Sequence, residues 1–347
     1  MMQKQIVFTA PNIAELLDVE RQEITDDEVE VQTEYTAISA GTERANLIGE
    51  LQVAGSYVAT EAVFPRALGY SGVGTVTKVG NHVKEIKVGD RVIVHFGKHM
   101  QYNVVPEKNV VKITDPTVDG AQAALAVIAI FPMLGIRRMM PEFGESAMVM
   151  GLGILGLIGV QLCRIAGAAP VIAVDPNPAR RELAKKIGAD YALDPSMPDF
   201  VETVKKLSRK GDGVDYLVEV TGVADAMLTG LDCLTRFGRI SLLGCTRHPV
   251  DQVDFYHKVH FKGISIVGTN TFARPFLESR PGAWTTRDDL QTVQTLLSYK
   301  RLNLKELISE IHSPKDAPQV YHRLAFEPQN FPIGVIFDWK KLSDCKE

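Results

Sequence analysis

An apolar run at residues 146–151 (SAMVMG) opens into Gly151-Leu152-Gly153-Ile154-Leu155-Gly156, and a helix-forming stretch follows at 154–167. Few folds accept a strand that turns through three spaced glycines into a helix. The first glycine permits the tight turn. The second lets backbone approach a pyrophosphate, and the third lets the helix pack on the strand. The free N–H groups at the helix start then hold the anion. Gly151, Gly153, Ile154, Leu155 and Gly156 are therefore expected to bind a dinucleotide. Asp175 ends the next strand candidate, 171–175 (VIAVD), 22 residues beyond Gly153. A carboxylate there accepts a hydrogen bond from the adenosine ribose 2′-hydroxyl and repels the 2′-phosphate of NADP, which points to NAD(H). Arg180 is placed to cover the adenosine end. The alternative is a glycine-rich turn in a domain that binds no nucleotide, with Asp175 and Arg180 as solvated charges.

Apolar strand candidates at 214–221 and 239–244 continue this zone, with helix candidates at 178–188 and 224–236. Strands buried on both faces read as continuous apolar runs, so the α/β fold expected is a doubly wound parallel sheet. Thr221, Gly244 and Cys245 stand at the ends of the last two strands and are assigned to the cofactor site. The first 120 residues read differently. Residues 28–36 (EVEVQTEYT) alternate polar and apolar, as a half-buried strand does. Residues 72–79 and 91–95 look similar, with turn signals at Gly80-Asn81 and Gly89-Asp90. This is a β-rich, barrel-like pattern. Beyond residue 270, helix candidates at 287–299 and 314–324 precede a strand at 334–338.

Composition narrows the function. A chain of 347 residues suits two domains. With 45% hydrophobic residues and a net charge of −4, neither disorder nor general nucleic-acid binding is expected. No apolar stretch reaches the ~18–20 residues of a membrane span, and the first residues lack a secretory pattern. Cys163, Cys233, Cys245 and Cys345 are scattered without a CxxC pair. That suggests a reducing compartment, and a cytoplasmic location is expected.

The order of zones is similar to that of the medium-chain dehydrogenase/reductase superfamily. Residues 68–92 (LGYSGVGTVTKVGNHVKEIKVGDRV) resemble its signature, which in zinc alcohol dehydrogenases reads GHE before a glycine- and valine-rich stretch ending in GDRV. Residues 39–43 (SAGTE) resemble the CGTD segment, and 171–175 and 184–190 (AKKIGAD) match the cofactor domain. The resemblance implies a GroES-like β-rich catalytic domain beginning in 1–120, a Rossmann domain in 121–270 and a return segment in 271–347 that completes the first. It implies a homodimer paired through the edge of the cofactor sheet, near 263–268. Residues 39–43, the short loop after GDRV and Asp175 are closest to the bacteriochlorophyllide hydroxyethyl dehydrogenase-like subgroup.

The departures are informative. Zinc members ligate the catalytic metal with the Cys of CGTD and the His of GHE, assisted by its Glu. Here those positions hold Ala40, Tyr70 and Ser71, which are poor zinc ligands or none. The loop after GDRV lacks the four cysteines of the structural zinc lobe. No zinc is expected, although a site built from His95, His99 and Glu43 is an alternative. Without a Lewis acid, a positioned base must take the alcohol proton. The resemblance makes Thr42 the proton-relaying hydroxyl. Tyr70, in a ligand's place, becomes a phenolic acid/base, or a filler of the metal void. His99 is of the residue type suited to proton transfer, or it is a structural histidine. Glu43 orients its neighbours, or lies on the surface. Lys98 and His95 read as a solvated lysine and a satisfied histidine. Residues 284–289 read as a helix cap. The expected function is zinc-independent, NAD(H)-dependent interconversion of a secondary alcohol, by family analogy a sugar or polyol, and a ketone. The rivals are an NADPH-dependent enoyl or quinone reductase and a non-catalytic dinucleotide-binding sensor or structural protein.

Overall fold

A computed structural model describes residues 1–51 and 61–342. Cys345 lies outside them. The chain forms two compact units, Met1–Ile128 with Leu304–Glu347, and Ala129–Asn303.

The first unit begins with an antiparallel hairpin, β1 (Met2–Ala10) and β2 (Ile13–Glu20). Next come β3 (Glu28–Ala37), α1 (Ala40–Leu47), β4 (Ser71–Val79), β5 (Arg91–His95), β6 (Tyr102–Pro106), β7 (Val110–Lys112) and α2 (Gly120–Ala124). The alternation read at 28–36 is β3, which pairs with β4 and β6. Inward valines from these strands, among them Val29, Val31, Val76, Val92, Val94 and Val105, form one core. A second core gathers Ile6, Phe8, Leu47, Tyr321, Phe337 and Trp339.

The division falls within α3 (Ala126–Met139). The second unit continues with β8 (Ala147–Met150), α4 (Ile154–Ile165), β9 (Val171–Val174), α5 (Pro178–Lys186), β10 (Tyr191–Leu193) and α6 (Phe200–Leu207). After them come β11 (Val214–Glu219), α7 (Ala224–Cys233), β12 (Leu234–Leu242), β13 (Ser265–Gly268) and α8 (Thr286–Ser298). Its six strands are all parallel, in the order β10-β9-β8-β11-β12-β13. Every residue of β8 and β9 is buried, as their continuous apolar runs predict. The strand order reverses between β8 and β11, and such a switch point is where open α/β sheets bind ligands.

The return into the first unit adds β14 (Glu310–His312), α9 (Ala317–Phe326) and β15 (Val335–Asp338). The sheet there runs β14-β15-β3-β4-β5-β7, with β6 on β3.

Three differences from the sequence reading have local causes. The return begins at Leu304 rather than 271, because buried Asp289 of α8 pairs with Arg137 of α3 and with Arg274. The helix expected at 224–236 stops at Cys233. Leu234 already pairs with Val214 of β11, and the register shifts before Arg239 meets Tyr216. Residues 314–316 form a separate 3-10 turn ahead of α9, with prolines confined to first turns, where a missing N–H costs nothing. No helix among the described residues is long and apolar enough to cross a membrane.

Candidate active site

In the second unit the glycine turn has the geometry its spacing implies. Gly151 sits at φ +95°, and an added Cβ would meet Thr221 Cγ2 at 2.9 Å. A Cβ on Gly156 would lie 1.8 Å from the Gly151 carbonyl oxygen, so only glycine allows α4 to sit this close to the strand end. A Cβ on Gly153 would meet nothing within 4 Å, so the space beside it is open. Gly153 is also the N-cap of α4, where no side chain accepts a hydrogen bond from the first helical N–H groups. Those donors and the helix dipole are left for an anion.

Asp175 follows β9 and is 5% exposed. Its Oδ2 accepts from Leu152 N at 2.8 Å and its Oδ1 from Asn177 N at 2.8 Å. The carboxylate is thus docked against the glycine turn and keeps lone pairs for a further donor. Arg180 Nη1 stands 3.8 Å from Asp175 Oδ2, so the expected neighbours are brought together. Sequence reasoning missed Arg181, whose Nη1 donates to the Asp175 and Pro176 carbonyls and to Asp194. Asn177 caps α5 through Ala179 N and Arg180 N. Thr221 is exposed at the end of β11. Gly244 follows β12 with its backbone against Gly222, and Cys245 is an exposed free thiol.

In the first unit, Tyr70 is half-buried and its hydroxyl donates to Ser39 Oγ at 2.5 Å. Ser39 is the N-cap of α1 but makes no side-chain cap bond. Thr42 is half-buried in the first turn of that helix. Tyr70 therefore reaches the residue that opens the helix bearing Thr42.

His99 and Glu43 are both buried, so Glu43 is not a surface carboxylate. His99 is 1% exposed and Glu43 0%. His99 Nε2 donates to Glu43 Oε2 at 3.1 Å, and His99 Nδ1 is 2.7 Å from Thr36 Oγ1. The Trp339 indole N–H donates to the same Thr36 oxygen at 2.9 Å, leaving its O–H to donate to Nδ1. Glu43 also accepts from Ser39 N at 2.8 Å and from the Tyr321 hydroxyl at 2.5 Å. Burial, then the Glu43 charge, holds the Tyr321 phenol well above its ordinary 10.0, so it stays a donor. Phe337 packs edge-on to His99, with ring centroids 5.5 Å apart. Every polar atom of this triad has a partner inside the core, which accounts for its burial. Thr36, Tyr321 and Trp339 carried no local signal.

The other candidates behave as ordinary side chains. Lys98 is exposed, with its backbone bonded to Asn103. His95 is buried, and its ring lies tilted against Phe96 with centroids 3.8 Å apart. Thr285 caps α8, accepting from Asp288 N at 3.1 Å.

The residues present do not fit a zinc ion. Ala40 has no donor atom, and Ser71 Oγ is buried and donates to the Ala124 carbonyl. Among the described residues no group of three or more His, Cys, Asp or Glu side chains is placed to hold a metal. His99 and Glu43 do meet, Nε2 to Oε2 at 3.1 Å, but with His95 they form no such group of three.

Comparisons with known proteins agree with this architecture. Residues 25–115 match the alcohol dehydrogenase GroES-like domain, and residues 155–284 match the zinc-binding dehydrogenase family. D-guloside 3-dehydrogenase of Escherichia coli K12 is 30% identical over 96% of this chain and 100% of its own length. L-threonine 3-dehydrogenase of Pyrococcus abyssi is 32% identical over 71% of this chain and 74% of its own. Galactitol-1-phosphate dehydrogenase from Escherichia coli superposes with a TM-score of 0.83 at 18% identity, covering 96% of this chain and 99% of that one, which shows the shared fold. The chain belongs to the medium-chain dehydrogenase/reductase superfamily, of the zinc alcohol dehydrogenase-like type. Its two units are a GroES-like β-rich domain and a Rossmann-type cofactor domain.

Proposed function

We propose that the protein is an NAD(H)-dependent alcohol oxidoreductase that works without zinc. The supporting observation is the cradle at Gly153, open on its ligand side, capped by free helix N–H groups and flanked by the docked carboxylate of Asp175. The relatives named as a guloside and a threonine dehydrogenase act, by name, on hydroxyl-bearing molecules. A sugar or polyol is accordingly the proposed substrate class, and a ketone its oxidised partner. Bound NAD(H) supplies the acceptor or donor of hydride. Asp175 selects NAD(H), because a 2′-phosphate beside this carboxylate would be repelled. Tyr70 and Thr42 hold and move the substrate hydroxyl proton. In the ketone direction the Tyr70 O–H donates to the carbonyl oxygen, and in the alcohol direction the phenolic oxygen takes the proton back. His99 and Glu43 act at one remove. They fix Ser39 at the start of α1, and Ser39 receives the Tyr70 hydroxyl. A cytoplasmic homodimer paired through β13, the edge strand of the parallel sheet, completes the reading.

The test is turnover across alcohols and ketones with both nicotinamide cofactors. Activity with NAD(H) is expected, and no activity with either cofactor overturns the reading. Within an active enzyme, Tyr70→Phe should lower kcat about 10²- to 10³-fold while NADH binding, followed by fluorescence, is unchanged. Asp175→Ser should weaken NADH about tenfold and shift preference toward NADPH, read as the ratio of the two dissociation constants.

A further inference from the structure

Glu219, the last residue of β11, is 1% exposed. Its Oε1 accepts from Thr221 N at 2.7 Å, from the Thr221 hydroxyl and from Gly222 N at 3.2 Å. Gly222 N is shared with Oε2, also at 3.2 Å. Its backbone carbonyl accepts from Leu243 N and Gly244 N, both at 2.9 Å. The loops it holds are packed to contact. A Cβ on Gly244 would fall 2.2 Å from Gly222 N and 2.8 Å from Glu219 Oε2. A Cβ on Gly222 would fall 2.8 Å from the Cys245 carbonyl oxygen. Thr221 Cγ2 in turn lies against Gly151. Glu219 thus links the carboxyl ends of β8, β11 and β12, its carboxylate through Thr221 and Gly222 and its backbone carbonyl through Leu243 and Gly244, at the edge where such sheets bind nucleotides.

That arrangement is costly for the fold. Burial pushes the Glu219 carboxyl above its ordinary 4.5, only partly offset by the bonds from Thr221 and Gly222. Its neighbours in the sheet, Met150 and Leu242, are apolar. The titratable groups on adjoining segments, Asp225 of α7 and Cys245, are exposed. Among the described residues no cation pairs with it. A buried, unpaired carboxylate is expensive when all it holds is loop amides and one exposed hydroxyl.

We propose that Glu219 is a positioning residue for the dinucleotide, its carboxylate holding Thr221 and Gly222, the loop after β11, in the shape that the cofactor meets. The proposal rests on the dinucleotide reading above. Protonation removes acceptor capacity from the atoms that hold Thr221 and Gly222, so cofactor affinity falls as Glu219 takes up its proton. The experiment is NADH titration by fluorescence between about pH 8 and about pH 5.5, beside thermal unfolding. Glu219→Gln should weaken NADH about tenfold at the alkaline end, leave the melting temperature equal or higher, and bind independently of pH. The parent protein should weaken toward the variant as pH falls. A variant that binds NADH as the parent does, or follows the same pH course, overturns the proposal. A parent that binds no NADH at any pH removes the dinucleotide reading instead. Should Glu219→Gln not fold, Thr221→Val removes one exposed donor and should weaken NADH about threefold. Unchanged binding there overturns the proposal equally.

Discussion

Replacing Gly156 with alanine is expected to abolish dinucleotide binding and to cost about 3 kcal/mol of stability or more. The methyl carbon would lie 1.8 Å from the Gly151 carbonyl oxygen and 2.8 Å from its carbonyl carbon. Both are backbone atoms of a turn at positive φ, so no side chain can swing aside. Either α4 lifts off the sheet or the turn opens, and each outcome dismantles the anion site. Gly153→Ala supplies the contrast. Its methyl meets nothing within 4 Å, and Gly153 has an extended backbone that alanine adopts. That variant should melt within about 1 kcal/mol of the parent. It should nevertheless bind NADH at least tenfold more weakly, because the methyl enters the space the pyrophosphate takes. Unfolding curves and NADH titrations on the two variants separate fold from ligand. If Gly153→Ala bound NADH normally, that space would not be the cradle.

The second large effect lies in the β-rich unit. Glu43→Ala should destabilise the protein by several kcal/mol, about 1–3 kcal/mol for each buried donor left without its acceptor. It leaves the Ser39 amide, the His99 imidazole and the Tyr321 hydroxyl without their common acceptor. Urea unfolding reads the loss. A change under about 1 kcal/mol would mean that the network is not structural and would return His99 to direct proton transfer. The Tyr321 bond has a pH signature. Its folded-state pKa lies above the ordinary 10.0, so the stability it contributes is present below that value and declines as pH rises beyond it.

Local chemistry decided how much could be read in advance. The glycine turn, Asp175 and the buried strands were legible because turn geometry and burial on both faces each restrict which residues can occupy adjacent positions. The alternation in β3 was legible for the same reason. The His99 network was not. Glu43 and His99 lie 56 residues apart in sequence, and Tyr321 and Trp339 arrive from the return segment and complete the core only once the chain has folded back. The boundary at Leu304 was hidden likewise, since it depends on Asp289 meeting Arg137 and Arg274. Glu219 did leave a signal. Like Asp175, it is an acid at the end of an apolar strand, here followed by Val220-Thr221-Gly222, and its position could have been questioned in the same way.

Whether this site replaces the metal of its relatives is decided most directly by the zinc content of protein purified without chelator or added metal, with NADH binding measured on the same sample. The account predicts less than about a tenth of an equivalent of zinc per chain in protein that binds NADH. Close to one tightly held equivalent would contradict it and return proton release to metal-assisted chemistry.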